Sequence, residues 1–367
     1  MHEMSGFRPW AKGDVFVGST VLRDAEDDHA GRGRILQYDS SLAPKGALWI
    51  DQTTHLVGGL KFDGEGRLWA FDSQGFVVLT VDRDGRVEHR DFGKRPFSHV
   101  NFARDGSVFL GEHVTGSLIK PEIAARMGTR IPLMPGTDRM GDGHVWQFRP
   151  DGTLIKEYAT HTHGGIGGFL GVTMSTLTPD ESTLVYCSET GPRLMRYDLR
   201  NDRQLPDLQS FPEGQREMFF AMKHGADGRL YALRGTRIDV VAEDGSTART
   251  YPLEGFGWAT LELSADGRHA YAGNFFSGEL AKIELRTGAV IASVQTGVPK
   301  SLAGIAQFAG TAAMARPSKP ARSRTRSAPR RKAKRPSKKS RTTQRRRPAR
   351  KKRPPARRKS SRARRHR

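Results

Sequence analysis

Apolar residues in this chain come in short runs, each broken by a polar turn of one recurring form: apolar run, Asp-Gly or a close variant, apolar run. Gly59 to Ala70 shows it around Asp63-Gly64, and it recurs at Val100 to Leu110 around Asp105-Gly106 and at Thr176 to Tyr186 around Pro179-Asp180. It returns at Ala221 to Leu233 around Asp227-Gly228 and at Leu261 to Ala272 around Asp266-Gly267. A second series alternates with the first: Tyr38-Asp39, Asp84-Gly85, Asp151-Gly152, Asp198 to Asp202, Asp244-Gly245 and Thr287-Gly288. Short β-rich runs joined by such turns predict antiparallel hairpins. Two hairpins in every ~40–50 residues predict the four-stranded blade of a β-propeller.

The second series marks six blades and the first only five inner hairpins, so one inner strand has to come from elsewhere. Blade 1 is predicted to begin with its second strand, Asp14 to Val21, followed by Arg32 to Asp39 and Ala47 to Asp51. The missing inner strand is then Ser301 to Phe308. Pairing the two ends of the propeller closes the ring and leaves no open sheet edge. The expected organisation is a lead-in at 1–13, an all-β six-bladed propeller at 14–310 and a tail at 311–367. Blade 3 carries an insertion at 113–142, which includes Lys120 to Met127 as a short helical turn with Pro121 near its start.

Charge changes this picture only at the end of the chain. The formal net charge of the 367 residues is +22, but 27 Lys and Arg and no acidic residue lie between Ala315 and Arg367. The other 314 residues carry 34 basic against 39 acidic side chains, a net of −5. The tail has seven prolines among Ser, Ala, Lys and Arg, without aromatic or large aliphatic side chains, so it cannot bury a core and is expected to be disordered. Its composition resembles linker-histone and bacterial histone-like tails. Clusters such as Arg330-Arg331-Lys332, Lys338-Lys339, Arg345-Arg346-Arg347 and Lys351-Lys352-Arg353 suit the phosphates of DNA or RNA, bound through counterion release without sequence readout. An anionic membrane surface or a targeting receptor would be served by the same charge.

No apolar run reaches the length of a membrane span. Met1 to Phe16 lacks the apolar stretch of a secretory signal. The single Cys187 excludes an internal disulfide framework and fits a buried structural thiol in a reducing, cytoplasmic compartment. The protein is expected to be cytoplasmic, with association with a nucleoid or nucleus left open through the tail, and the propeller is expected to be monomeric.

Where inner strands begin and second strands end, a propeller gathers side chains around its axis on one face. The predicted starts are Lys300, His55, His99, His163, Glu217 and Trp258; the predicted ends are Ser19, Asp72, Glu112, Glu189, Arg234 and Asn274. Imidazoles and carboxylates in one place suit a borderline divalent cation or acid–base work. On that reading His99 and Glu112 are the candidate catalytic pair, and His55, His163 and Glu189 are candidate ligands for one divalent cation. Asp72, His161, Arg234 and Asn274 are candidate contacts for a small-molecule ligand on the axial face. Hydrated polar side chains that bind nothing specific are the plain alternative for such an axis. There is no phosphate-binding glycine loop and no Gly-x-Ser-x-Gly elbow.

The segments Gly59 to Asp72 and Leu263 to Asn274 resemble the six-bladed gluconolactonase and senescence-marker-protein family and, more loosely, NHL-repeat propellers. That resemblance implies one axial divalent cation held by Glu, Asn and Asp in motifs such as Glu-Gly-Pro and Pro-Asn-Gly. Here the inner strands begin instead at His55, His99, His163 and Glu217. The segment His99 to Glu112 looks like a blade of the virginiamycin B lyase family, which implies a His at a strand start and a Glu at the next strand end, with magnesium nearby. The expectation is therefore a ligand-binding or scaffold propeller tethered to nucleic acid, or alternatively a metal-dependent hydrolase or lyase.

Overall fold

The computed structural model describes residues 6–24, 31–53, 56–115, 143–163, 169–188, 190–212, 215 and 217–310. His55, Glu189, residues 116–142 of the insertion and the tail at 311–367 lie outside the described residues.

Among the described residues the elements are all strands, arranged as six antiparallel blades. Blade 1 contains β1 (Val15–Leu22), β2 (Gly31–Tyr38) and β3 (Pro44–Ile50); blade 2 contains β4 (Gly58–Phe62), β5 (Leu68–Asp72), β6 (Val77–Val81) and β7 (Val87–His89). Blade 3 is β8 (Phe97–Phe102), β9 (Val108–Thr115), β10 (Val145–Phe148) and β11 (Leu154–Tyr158), with the short β12 (Phe169–Gly171) alongside. Blade 4 is β13 (Met174–Leu177), β14 (Thr183–Cys187), β15 (Arg193–Asp198) and β16 (Arg203–Ser210). Blade 5 is β17 (Ala221–His224), β18 (Leu230–Leu233), β19 (Arg237–Val241) and β20 (Thr247–Pro252). Blade 6 is β21 (Trp258–Leu263), β22 (His269–Asn274), β23 (Glu279–Glu284) and β24 (Val290–Gln295). The last strand, β25 (Gly304–Gln307), pairs with β1, setting Val15 opposite Gln307 and Gly18 opposite Gly304.

The turns form where they do because the Asp side chain closes them. Asp105, Asp151, Asp180, Asp227, Asp244 and Asp266 each accept a hydrogen bond at Oδ1 from the backbone N–H two residues on. This Asx turn is the reason for Asp at that position. In the Asp180 turn there is no glycine, and Glu181 takes the left-handed conformation itself at φ 57°. In the Asp63 turn the left-handed residue is Gly66 at φ 79°, two positions beyond the Gly64 that the sequence pattern pointed to.

Apolar side chains gather between neighbouring blades rather than in one central core, because the two faces of every blade point at its neighbours. Trp69, Phe71, Val100 and Leu110 join blades 2 and 3. Leu233, Ile238, Leu261 and Ala272 join blades 5 and 6. Val17, Leu36, Tyr271 and Leu280 join blade 6 to blade 1. Cys187 is wholly buried in the seam between blades 4 and 5. The lead-in is part of the fold: Gly6 N–H donates to Ala47 O over 2.8 Å, and Trp10 packs edge-on against Phe16, Phe62 and Phe308.

Some boundaries differ from the sequence reading: β3 starts at Pro44 rather than Ala47, and β25 covers only Gly304–Gln307 of the expected Ser301 to Phe308. The second strand of blade 3 does not stop at Glu112 but continues to Thr115, because Phe169 to Gly171 pairs with His113 to Thr115 and supplies backbone partners beyond the blade.

Candidate functional site

The inner strands β4, β8, β13, β17, β21 and β25 surround an axial cavity of about 20 Å³. Room for about one or two waters is all that such a volume provides. Its polar wall is Lys61, His99, Asn101, Ser175, Lys223 and Thr260.

These side chains largely satisfy one another. Lys61 Nζ donates to Asn101 Oδ1 over 3.0 Å, and Asn101 Nδ2 donates to Ser175 Oγ over 2.8 Å and to Ser175 O over 3.2 Å. His99 Nε2 lies 2.5 Å from Ser175 Oγ, and His99 Nδ1 lies 2.9 Å from Ser98 Oγ. Ser98 Oγ is 3.0 Å from Thr173 O, a carbonyl that only accepts. The Ser98 hydroxyl therefore donates there and accepts from His99 Nδ1–H, which leaves Nε2 to accept the Ser175 hydroxyl proton. On the other wall Lys223 Nζ lies 2.5 Å from Glu262 Oε2.

Electrostatics follow from this crowding. Burial, then the charges of Lys61 and Lys223, push His99 down to about 3, so the imidazole is neutral throughout the physiological range. Burial, then repulsion from Lys223, lowers Lys61 to about 7, against an opposing pull from Glu262.

His99 was expected at the start of an inner strand; it lies within β8, buried against Gly111 of β9. Gly111 is required there, since a Cβ at that position would sit 2.3 Å from His99 Cε1. Glu112 faces other partners. Its Oε1 accepts from Arg95 Nη1 over 2.8 Å, and its Oε2 accepts from the N–H groups of Gly143 and His144 over 3.0 and 3.2 Å. The Arg95 guanidinium lies 3.7 Å from the Trp146 ring centre. Glu112 thus ties the loop before β8 to the start of β10, while His99 reaches across to blade 4.

The residues at strand ends cap turns or complete ion pairs. Asp72 Oδ1 accepts from Gln74 N–H and Gly75 N–H over 3.2 and 2.9 Å. Asn274 Oδ1 does the same for Phe276 and Ser277, both over 3.0 Å, while its Nδ2 donates to Phe256 O. Arg234 is fully enclosed, 2.6 Å from Glu217 and 3.3 Å from Asp239, with its guanidinium 4.0 Å from the Phe219 ring centre. His161 is exposed, and its carbonyl accepts from Tyr186 Oη. His163 lies in the loop before β12, eleven residues ahead of β13 rather than at a strand start; its N–H donates to Ser188 Oγ over 3.1 Å. His163 Nδ1 is buried without a hydrogen-bond partner among the described residues. His55 and Glu189 lie outside the described residues, and no group of three His, Cys, Asp or Glu suited to a metal is present among the described residues.

Of the polar residues around the axis, His99 was a sequence-level candidate and the others were missed. Their signal is positional: Asn101, Lys223 and Glu262 each stand four residues ahead of the turn aspartates 105, 227 and 266, polar interruptions of otherwise apolar strands. A roomier cleft of about 500 Å³ lies on the turn side of blades 2 and 3, between Phe62, Trp69, Arg67 and Arg104. No helix long and apolar enough to cross a membrane occurs among the described residues.

No family model and no curated protein matches the chain. Solved structures do. A chain of the nidogen/laminin complex aligns with a TM-score of 0.55 at 13% identity, over 80% of this chain and 97% of that one. A gluconolactonase from Xanthomonas campestris aligns with a TM-score of 0.48 at 15% identity, over 72% of this chain and 84% of that one. Virginiamycin B lyase from Staphylococcus aureus aligns with a TM-score of 0.44 at 12% identity, over 68% and 73%. At such identities the likeness is one of fold, and in fold this chain is similar to known β-propellers.

Proposed function

We propose that the protein is a binding or scaffold propeller held on nucleic acid by its polycationic tail. The observation that carries this reading is the charge division: 27 basic and no acidic side chains from Ala315 onward, after a body of net −5. Such a tail neutralises phosphates and releases their counterions, while the body contributes no attraction of its own. The axis supports binding over turnover, because His99, Asn101 and Ser175 are engaged with one another around about 20 Å³ of space. A mobility-shift comparison of the full chain with a version ending at Gly310 tests the tether. Retardation of DNA and RNA by the full chain alone is expected; equal affinity of the two proteins overturns the reading.

A second reading has one observation in its favour. The buried Nδ1 of His163, without a hydrogen-bond partner among the described residues, is a nitrogen suited to a divalent cation or to a ligand proton. In that reading His163 would hold the cation with His55 and Glu189, and hydrolase or lyase chemistry would follow, with His99 and Glu112 as the catalytic pair. Elemental analysis of protein purified without chelator, followed by a lactone and ester panel, tests it. No stoichiometric metal, together with unchanged turnover in His99→Ala and Glu112→Ala, removes it.

A further inference from the structure

We propose that the axial cavity is a site for a single halide-sized anion, held between the ammonium groups of Lys61 and Lys223. Two observations lead there, neither of which involves the tail.

The first is a charge imbalance. Lys223 has a carboxylate partner in Glu262 at 2.5 Å, whereas Lys61 Nζ donates to the uncharged Asn101 Oδ1 at 3.0 Å. With both lysines protonated, Lys61, Lys223 and Glu262 sum to one positive charge at the axis, and His99 beside them is neutral. A half-buried ammonium without a countercharge either gives up its proton or takes an anion. Burial and repulsion from Lys223 pull Lys61 down to about 7, in the direction of the first.

The second is size. About 20 Å³ admits one or two water-sized occupants and excludes a carboxylate or phosphate attached to an organic body. The occupant is therefore monatomic or nearly so, and chloride is the probe of choice.

The test uses the full chain at pH 8 and constant ionic strength, in sodium chloride or in sodium gluconate, whose anion is too large for the cavity. Reductive methylation with formaldehyde labels neutral amines, and peptide mass spectrometry reads each lysine separately. An anion beside Lys61 favours its charged form, so chloride is expected to slow labelling of Lys61 at least fivefold relative to the exposed Lys12. Equal relative rates in the two salts overturn the proposal. A second readout is the thermal midpoint: chloride raises it in the wild type by mass action on the folded state, and the increment disappears in Lys61→Met. The same increment in Lys61→Met and wild type overturns the proposal as well. Should that variant fail to fold, the labelling result stands alone, since it needs no substitution.

Discussion

Arg95 Nη1 donates to Glu112 Oε1 across 2.8 Å, and the carboxylate it meets is wholly buried. The other oxygen of Glu112 receives the N–H groups of Gly143 and His144, where the chain returns from the insertion. One side chain therefore holds three stretches of blade 3 together. Glu112→Ala leaves a guanidinium without this carboxylate and two N–H groups without an acceptor. A loss of ~3–5 kcal/mol is expected for breaking such a pair. Glu112→Gln keeps an acceptor and is expected to cost ~1–3 kcal/mol. Urea denaturation followed by tryptophan fluorescence measures both; a cost below ~1 kcal/mol for Glu112→Ala contradicts the role.

Gly111, the neighbour of Glu112, sets the position of His99. An alanine Cβ there would come within 2.3 Å of His99 Cε1 and 2.8 Å of Val172 O, a backbone atom that cannot step aside. Gly111→Ala is expected to cost ~1–3 kcal/mol as overpacking does. The displaced ring would also lose its 2.5 Å contact with Ser175. A thermal midpoint unchanged within a degree would show that the ring is less confined than this geometry requires.

The turns were legible in the sequence because each is written by one side chain. An Asp whose carboxylate closes its own turn leaves a local signature, and Asp105, Asp151, Asp227, Asp244 and Asp266 supply it blade after blade. The site was not legible in the same way. Reading strand ends as the axial face led to Asp72, Arg234 and Asn274, whose side chains are spent on turns and ion pairs within their own blades. Besides His99, the groups at the axis include Lys61, Asn101 and Lys223, inside inner strands, where alternation alone does not say which side of a blade faces inward. Only the assembled ring supplies that direction.

His99 gives the fold an acid limb. In the folded protein the imidazole stays neutral down to about 3. In the unfolded chain it takes a proton near ~6.5. Between these values the unfolded state binds the extra proton, so stability is lost as pH falls from ~6.5 toward ~3. One proton corresponds to a slope of ~1.4 kcal/mol per pH unit. His99→Asn is expected to be shallower than the wild type by up to that amount between pH 6 and 4. Urea titrations at several pH values measure the slopes, and parallel curves for the two proteins would exclude His99 as the source.

Lys61 acts in the opposite half of the pH scale. Its folded-state value is lowered to about 7, while an unfolded lysine titrates near ~10.4. Above pH 7 the folded chain has lost a proton that the unfolded chain retains, so stability rises with pH until ~10.4 is passed. The cost of burying the ammonium is fully present below pH 7. Lys61→Met, which keeps the aliphatic bulk, is therefore expected to stabilise the protein more at pH 6 than at pH 10 in gluconate buffer. A larger gain at pH 10 than at pH 6 would reverse the assigned sign.

The tail is expected to make affinity for nucleic acid a function of salt rather than of sequence. Each phosphate that a Lys or Arg neutralises releases condensed counterions, so log affinity falls linearly with log salt. With 27 cations available from Ala315 onward, engaging even six to ten phosphates gives a fall of ~10³–10⁵ between 50 and 200 mM salt. No aromatic residue in that stretch can stack on a base, so duplexes of unrelated sequence should bind alike at any one salt concentration. Fluorescence anisotropy with two unrelated duplexes and a matched RNA, titrated across that salt range, measures both effects. A body of net −5 adds repulsion at low salt, so the chain ending at Gly310 should show no binding where the full chain is saturated. A shallow salt slope with strong sequence preference would place recognition in the propeller instead, and would move attention to its exposed loops.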